Sequence, residues 1–156
     1  MAQIHGLSFK NIKHSRGHEG EELFSAELKY KKEIVGFVEE LDMGGGLNIN
    51  ASDEWVKLFT TKHKCDLEEV IYDLQLLNWR QSIYKKIVKK GYDNAVFIAR
   101  EGWSAYQDTV LMMSSFTPLS CIPQAVLKDL QQNPKYAHLT IDMIKIYSRP
   151  QDFIKK

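Results

Sequence analysis

Along residues 4–13 the apolar side chains Leu7 and Phe9 alternate with Ser8 and Lys10, the period-two pattern of a strand buried on one face. Ile12 falls out of phase with Leu7 and Phe9, so a bulge or a two-sided strand end is expected there. Phe24, Ala26, Leu28 and Tyr30 share one face of a second strand, with Glu27 and Lys29 on the other. After a polar connection at Lys31-Lys32-Glu33, Ile34 to Val38 is apolar on both faces apart from Gly36. That pattern predicts a central strand covered on both sides. Gly44-Gly45-Gly46 then releases the chain from an antiparallel meander, because glycine reaches positive φ at little steric cost. A short strand over Leu47 to Asn50 follows.

The period then lengthens. Ser52 precedes Asp53 and Glu54 and an apolar stripe of Trp55, Val56, Leu58 and Phe59, the composition of a capped helix N-terminus. Asp66 with Glu69 opens a longer helix whose apolar positions are Val70, Leu74, Leu77, Tyr84, Ile87 and Val88, and Gly91 ends it after Lys89-Lys90. Ala95 to Ala99 and Thr109 to Met113 flank Arg100-Glu101-Gly102-Trp103 and predict a hairpin. Pro123 lies early in a helix through Leu130, and Leu139 to Tyr147 reads as a last strand. The predicted class is α+β: an N-terminal antiparallel β-meander, two central helices and a C-terminal β-hairpin–helix–strand. All of it is expected in a single domain over residues 1–156.

Composition narrows what such a domain does. Of 156 residues, 44% are hydrophobic and 26% charged, which suits a core-forming chain. Lys plus Arg total 21 against 20 Asp plus Glu, so no global field draws long nucleic acid or an anionic membrane, and recognition must be local. Cys65 and Cys121 lack CxxC spacing, which predicts reduced thiols in a cytoplasmic setting. No leader pattern and no membrane-length apolar run is present in the sequence.

Catalytic signatures are absent from the sequence. Gly44-Gly45-Gly46 lacks the Lys-Ser/Thr of a phosphate loop, no Ser occupies a Gly-x-Ser-x-Gly elbow, and neither Cys has a protease context. His14, His18 and Glu19, or His63, Cys65 and Asp66, fall short of a closed ligand set. Glu39, Glu40 and Asp42 at a strand end read as solvated carboxylates. No enzyme activity, metal or cofactor is predicted.

Binding chemistry is concentrated at three places. The turn from Lys13 through Arg16, Gly17, His18 and Glu19 to Gly20 sets a guanidinium among glycine-flanked amides, a composition suited to an anion. The alternative is an Arg16–Glu19 pair that simply closes the turn. Arg80, Lys85, Lys86, Lys89 and Lys90 form the densest basic run, with Trp79 and Tyr84 nearby as stacking candidates. Cations at a helix C-terminus explain that run equally well. Arg100, Trp103 and Tyr106 on the second hairpin suit nucleobase stacking or a protein hot spot. An exposed sheet edge at residues 4–13 offers a place for another chain to pair.

The N-terminal segments Asn11-Ile12-Lys13, Arg16-Gly17-His18-Glu19-Gly20, Phe24-Ser25-Ala26-Glu27-Leu28, Glu33-Ile34-Val35-Gly36-Phe37-Val38 and Asp42-Met43-Gly44-Gly45 resemble those of small uncharacterised proteins of phages, prophages and plasmids in Gram-positive bacteria. Their pattern is Asn-Ile-Lys, Arg-Gly-x-Glu-Gly, Phe-x-Ala-x-Leu, Lys-x-Val-Gly-x-Val and Asp-x-Gly-Gly; Glu33 departs from its Lys. The resemblance covers about a quarter of the chain and implies shared fold more than shared ligand.

The setting it implies is counter-defence in a host bacterial cytoplasm. The first expectation is sequestration of a small phosphorylated, cyclic nucleotide immune signal without cleavage, by a homo-oligomer. Lys13, Arg16, Gly17, His18 and Glu19 would hold the phosphate, with Arg100, Trp103 and Tyr106 making a second contact. The alternatives are a protein inhibitor that binds a host defence effector or nuclease directly, as anti-CRISPR proteins do, and an enzyme acting on nucleotides or nucleic acid.

Overall fold

The alternating N-terminal segments assemble into one ladder of the α+β fold, seen in a computed structural model that describes residues 1–98, 109–113 and 122–156. Strand β1 (Gln3–Ile4) turns through His5-Gly6 into β2 (Leu7–Arg16), which pairs antiparallel with β3 (Glu22–Tyr30). Strand β4 (Glu33–Glu40) and strand β5 (Leu47–Ala51) complete the meander. Helices α1 (Asp53–His63) and α2 (Leu67–Lys89) follow. Next come β6 (Asn94–Ile98), β7 (Thr109–Met113), α3 (Ile122–Gln131), β8 (Ile144–Tyr147) and β9 (Ile154–Lys155). The sheet orders are β5-β4-β3-β2-β1-β9 and β7-β6-β8.

The chain divides into two compact units, Met1–Gln75 with Ile154–Lys156, and Leu76–Phe153. In the first, Leu7, Phe9, Phe24, Ala26, Leu28 and Val38 are buried on one face of the sheet, called here the inner face. Helix α1 seats its buried Phe59 against that face at Tyr30, the ring centroids 5.5 Å apart. Ser52 caps α1 by accepting from the Trp55 amide at 3.3 Å, and Asp66 accepts from the Glu69 amide at 3.1 Å at the head of α2. Both caps are those read from the sequence, and each satisfies an amide that the helix leaves unpaired. In the second unit β6 is buried along its whole length and pairs with β7 on one side and β8 on the other. Val96 and Ile144 pack there with Leu127, Leu130 and Ile146.

The bulge expected at Ile12 is present as a register shift between Lys10 and Lys13, with Asn11 at φ 52°. Strand β4 departs from expectation. Its ladder slips between Leu28 and Lys29, so Ile34 pairs with Lys29 and Phe37 with Glu27. Phe37 faces away from Val38 by simple alternation, and the slip turns Ile34 to that same face, where Ile34 and Phe37 are 49% and 39% exposed. Strand β4 is therefore covered on one side, not two. Leu58 and Val88, which share the apolar helical spacing, are exposed. The last strand is also shorter than read, because a 3-10 turn over Ile141–Met143, closed by the Met143 amide on the Thr140 carbonyl, precedes β8. No helix among the described residues is long and apolar enough to cross a membrane.

Candidate functional site

The Arg16–Gly20 tip is built differently from a phosphate cradle. Lys13, His14, Ser15 and Arg16 lie in β2 in regular register with Ser25, Phe24, Leu23 and Glu22. Side chains alternate along a strand, so positions three apart point to opposite faces. Lys13 shares the outer face with Ser25, whereas Arg16 shares the inner face with His14, Glu22 and Phe24. Both are exposed, and the sheet lies between them.

The turn itself is satisfied from within. The Gly17 amide donates to the Glu21 carbonyl at 2.9 Å and the Gly20 amide to the Gly17 carbonyl at 3.1 Å. The His18 amide donates to both Asp42 carboxylate oxygens at 3.2 Å, and the Glu19 amide to Glu21 Oε2 at 3.0 Å. From the neighbouring turn, the Met43 amide donates to Glu21 Oε1 at 3.4 Å and to Asp42 Oδ1 at 2.8 Å. His18 Nδ1 makes a short ion pair with Asp42 Oδ2. A Cβ at Gly17 would meet the Glu21 and Asp42 carboxylates, so a side chain there would displace the carboxylates that engage the tip amides.

The hydrogen bond to Asp42, with that carboxylate's charge, raises the His18 pKa above 6.5. The reciprocal bond from His18, followed by other hydrogen bonds at the tip, holds Asp42 well below the usual carboxylate range. The tip is thus an anion site already filled by this chain's own carboxylates, and a phosphate entering it would compete with two of them.

The other candidates have structural work of their own. Glu40 accepts from the Phe24 amide at 3.0 Å and from Gln75 at 3.2 Å, and Glu39 accepts from Asn48 at 3.0 Å. His63 stacks on His5 at 4.6 Å and lies 3.4 Å from the Tyr30 hydroxyl; burial, then the charges of His5, Lys62 and Lys31, lower its pKa. Burial raises the thiol pKa of Cys65, which is free. Among the described residues no three His, Cys, Asp or Glu side chains are disposed around a common metal position.

Arg80 departs from the basic run: it is buried, donates to the Tyr147 hydroxyl at 3.3 Å and lies over the Phe97 ring. Trp79 is half-buried and meets Phe97 edge-on at 5.8 Å, and the buried Tyr84 donates to the Ser148 carbonyl at 2.9 Å, so the Tyr84 ring is not presented for base stacking. Lys85, Lys86, Lys89 and Lys90 remain as an exposed helix end. Arg100, Trp103, Tyr106 and Cys121 lie outside the described residues.

The N-terminal sheet carries a further site that catalytic and charge motifs do not mark. On the outer face of the N-terminal sheet, Asn11, Ile12, Lys13, Ser25, Glu27 and Phe37 line an open groove of about 550 Å³. The bulge makes it. Asn11 adopts the left-handed conformation that its short amide tolerates and donates to Glu27 Oε2 at 2.8 Å, leaving Ile12 40% exposed. Small Ser25 forms part of the lining between Lys13 of β2 and Phe37 of β4. The out-of-phase Ile12 was the sequence signal for this site. No family model, no curated protein and no solved structure matches the chain.

Proposed function

We propose that this chain is a non-catalytic counter-defence protein that binds a host defence protein through the outer face of its N-terminal sheet. The observation that carries the reading is the uncovered apolar surface of Ile12, Ile34 and Phe37 beside the groove. Isolated exposed apolar residues need no explanation, but three on one sheet face, two of them lining a concavity, suit an interface anchor. Lys10, Lys13, Lys29, Glu27 and Glu39 surround them and supply the polar rim of such an interface. Nucleotide capture is the weaker reading, since Lys13 and Arg16 sit on opposite faces and the tip amides are engaged by Glu21 and Asp42. The bacterial, cytoplasmic and mobile-element setting comes from the sequence resemblance alone.

The test is capture from host lysate with wild-type chain and with Phe37→Ser, whose exposed side chain leaves folding intact. A partner held by the wild type and lost by the variant supports the reading. A partner held equally by both overturns it, as does an intact nucleotide released on heating the wild-type protein, or turnover of one.

A further inference from the structure

Strand β2 runs ten residues, yet β1 pairs with it only at Leu7. From Phe9 to Arg16 its second edge has no strand partner among the described residues. Natural sheets shield such edges, because a row of unpaired amides and carbonyls invites another strand. Here the edge carries Lys10, Lys13 and Arg16 and no acidic residue. Among the described residues none of the three cations is in an ion pair, while His14 of the same strand pairs with Glu22 at 3.1 Å. The bulge sets Lys10 and Lys13 on the same outer face, either side of Ile12 and the groove.

From this edge we infer that β2 accepts an extended acidic segment of a partner protein as an added strand, with two carboxylates, two residues apart on one face of that segment, opposite Lys10 and Lys13. The inference rests on the protein-binding reading above and names the chemistry of the partner. Backbone hydrogen bonds to the free edge supply affinity, and alternate side chains supply selectivity. A second copy of this chain is a poor occupant, since pairing β2 with itself sets three cations against three. A nucleic acid strand is the other polyanion that suits cations, but residues 10–16 of the edge contain no Trp, Tyr or Phe on which bases could stack.

The experiment uses the whole chain with three labelled probes: a peptide of the pattern Thr-Glu-Thr-Glu-Thr, its Lys-for-Glu counterpart, and a single-stranded dT oligonucleotide. Binding is followed by fluorescence anisotropy and by amide hydrogen exchange. The expected result is that the acidic peptide alone binds, slows exchange at amides within residues 9–16, and loses about tenfold in affinity on combining Lys10→Glu with Lys13→Glu. Both positions are exposed, so the doubly substituted chain folds. Equal binding of the Lys peptide, tighter binding of dT, or no change in exchange at residues 9–16 with the acidic peptide in excess overturns the inference. If a host partner is still lost on Phe37→Ser while the acidic peptide fails, strand addition falls and the sheet-face reading stands.

Discussion

Strands β4 and β6 carry the same kind of sequence and meet opposite fates. Ile34 to Val38 and Ala95 to Ile98 are both short apolar runs without alternation. Yet β6 is buried at every position, whereas β4 buries Val38 and leaves Ile34 and Phe37 in solvent. The difference lies in the neighbours. Val38 faces the buried inner side of the sheet, Phe37 faces away from it by alternation, and a slip in register brings Ile34 to the same outer face. An apolar run thus reports how much surface a strand offers for burial; whether that surface meets a core or a partner is decided elsewhere in the chain. This is why the outer face, and not the charged tip, is read as the binding surface.

The sharpest test of the contrast replaces one phenylalanine at a time. Phe97→Ala empties a fully buried site that packs on Tyr147 and Trp79 and should cost about 3–5 kcal/mol. Phe37→Ala, on the open face, should cost about 1 kcal/mol or less. Denaturant midpoints measured side by side decide it, with equal slopes confirming that both variants start from the same fold. Similar losses would mean that Phe37 is covered in solution, for instance by self-association, and the two strands would no longer differ.

A smaller effect should follow from Gly36→Val, on the inner face of β4. An added Cβ there meets the Asn50 carbonyl oxygen at 2.5 Å and the Ala51 Cβ at 2.8 Å, so the β5 backbone must move. Overpacking of this kind costs about 1–3 kcal/mol. Faster amide exchange confined to Leu47–Ala51 is the expected signature. Unchanged exchange there would show that β5 is not held by this close approach.

The elements were legible because their signals are local. Caps at Ser52 and Asp66, the stop at Gly91, the strands at Phe24–Tyr30 and Ala95–Ile98, and the bulge near Ile12 each announce themselves within a few residues. Three features were not legible, for a common reason. The slip that exposes Ile34 depends on its pairing with Lys29. The capture of Arg80 depends on Tyr147 and Phe97. The filling of the tip by Asp42 joins residues 24 apart in sequence. Each is settled by a partner far along the chain, so residue type and spacing alone could not reveal it. The parallel pairing of β9 with β1 escaped the sequence on the same grounds, since Ile154–Lys155 is too short to carry a period.

The smallest effect is also the one that fixes the tip's role. The His18–Asp42 pair is exposed on the imidazole side, so its contribution is screened by water and salt. Its direction is nevertheless set. The folded His18 pKa lies above 6.5, so the pair contributes fully below that value and fades as pH rises through the raised one. Asp42 is held below 3.8, so its share is present above 3.8 and fades as pH falls through the lowered value. The clasp between the β2–β3 and β4–β5 turns is therefore complete between about 3.8 and 6.5 and loosens at higher pH. An NMR titration should give His18 a midpoint above 6.5 that drops toward it in Asp42→Asn, with the His18 and Met43 amides exchanging faster as the midpoint is passed. A His18 midpoint indifferent to Asp42→Asn would leave the tip amides open, returning the anion site to contention and weakening the case for the sheet face over the tip.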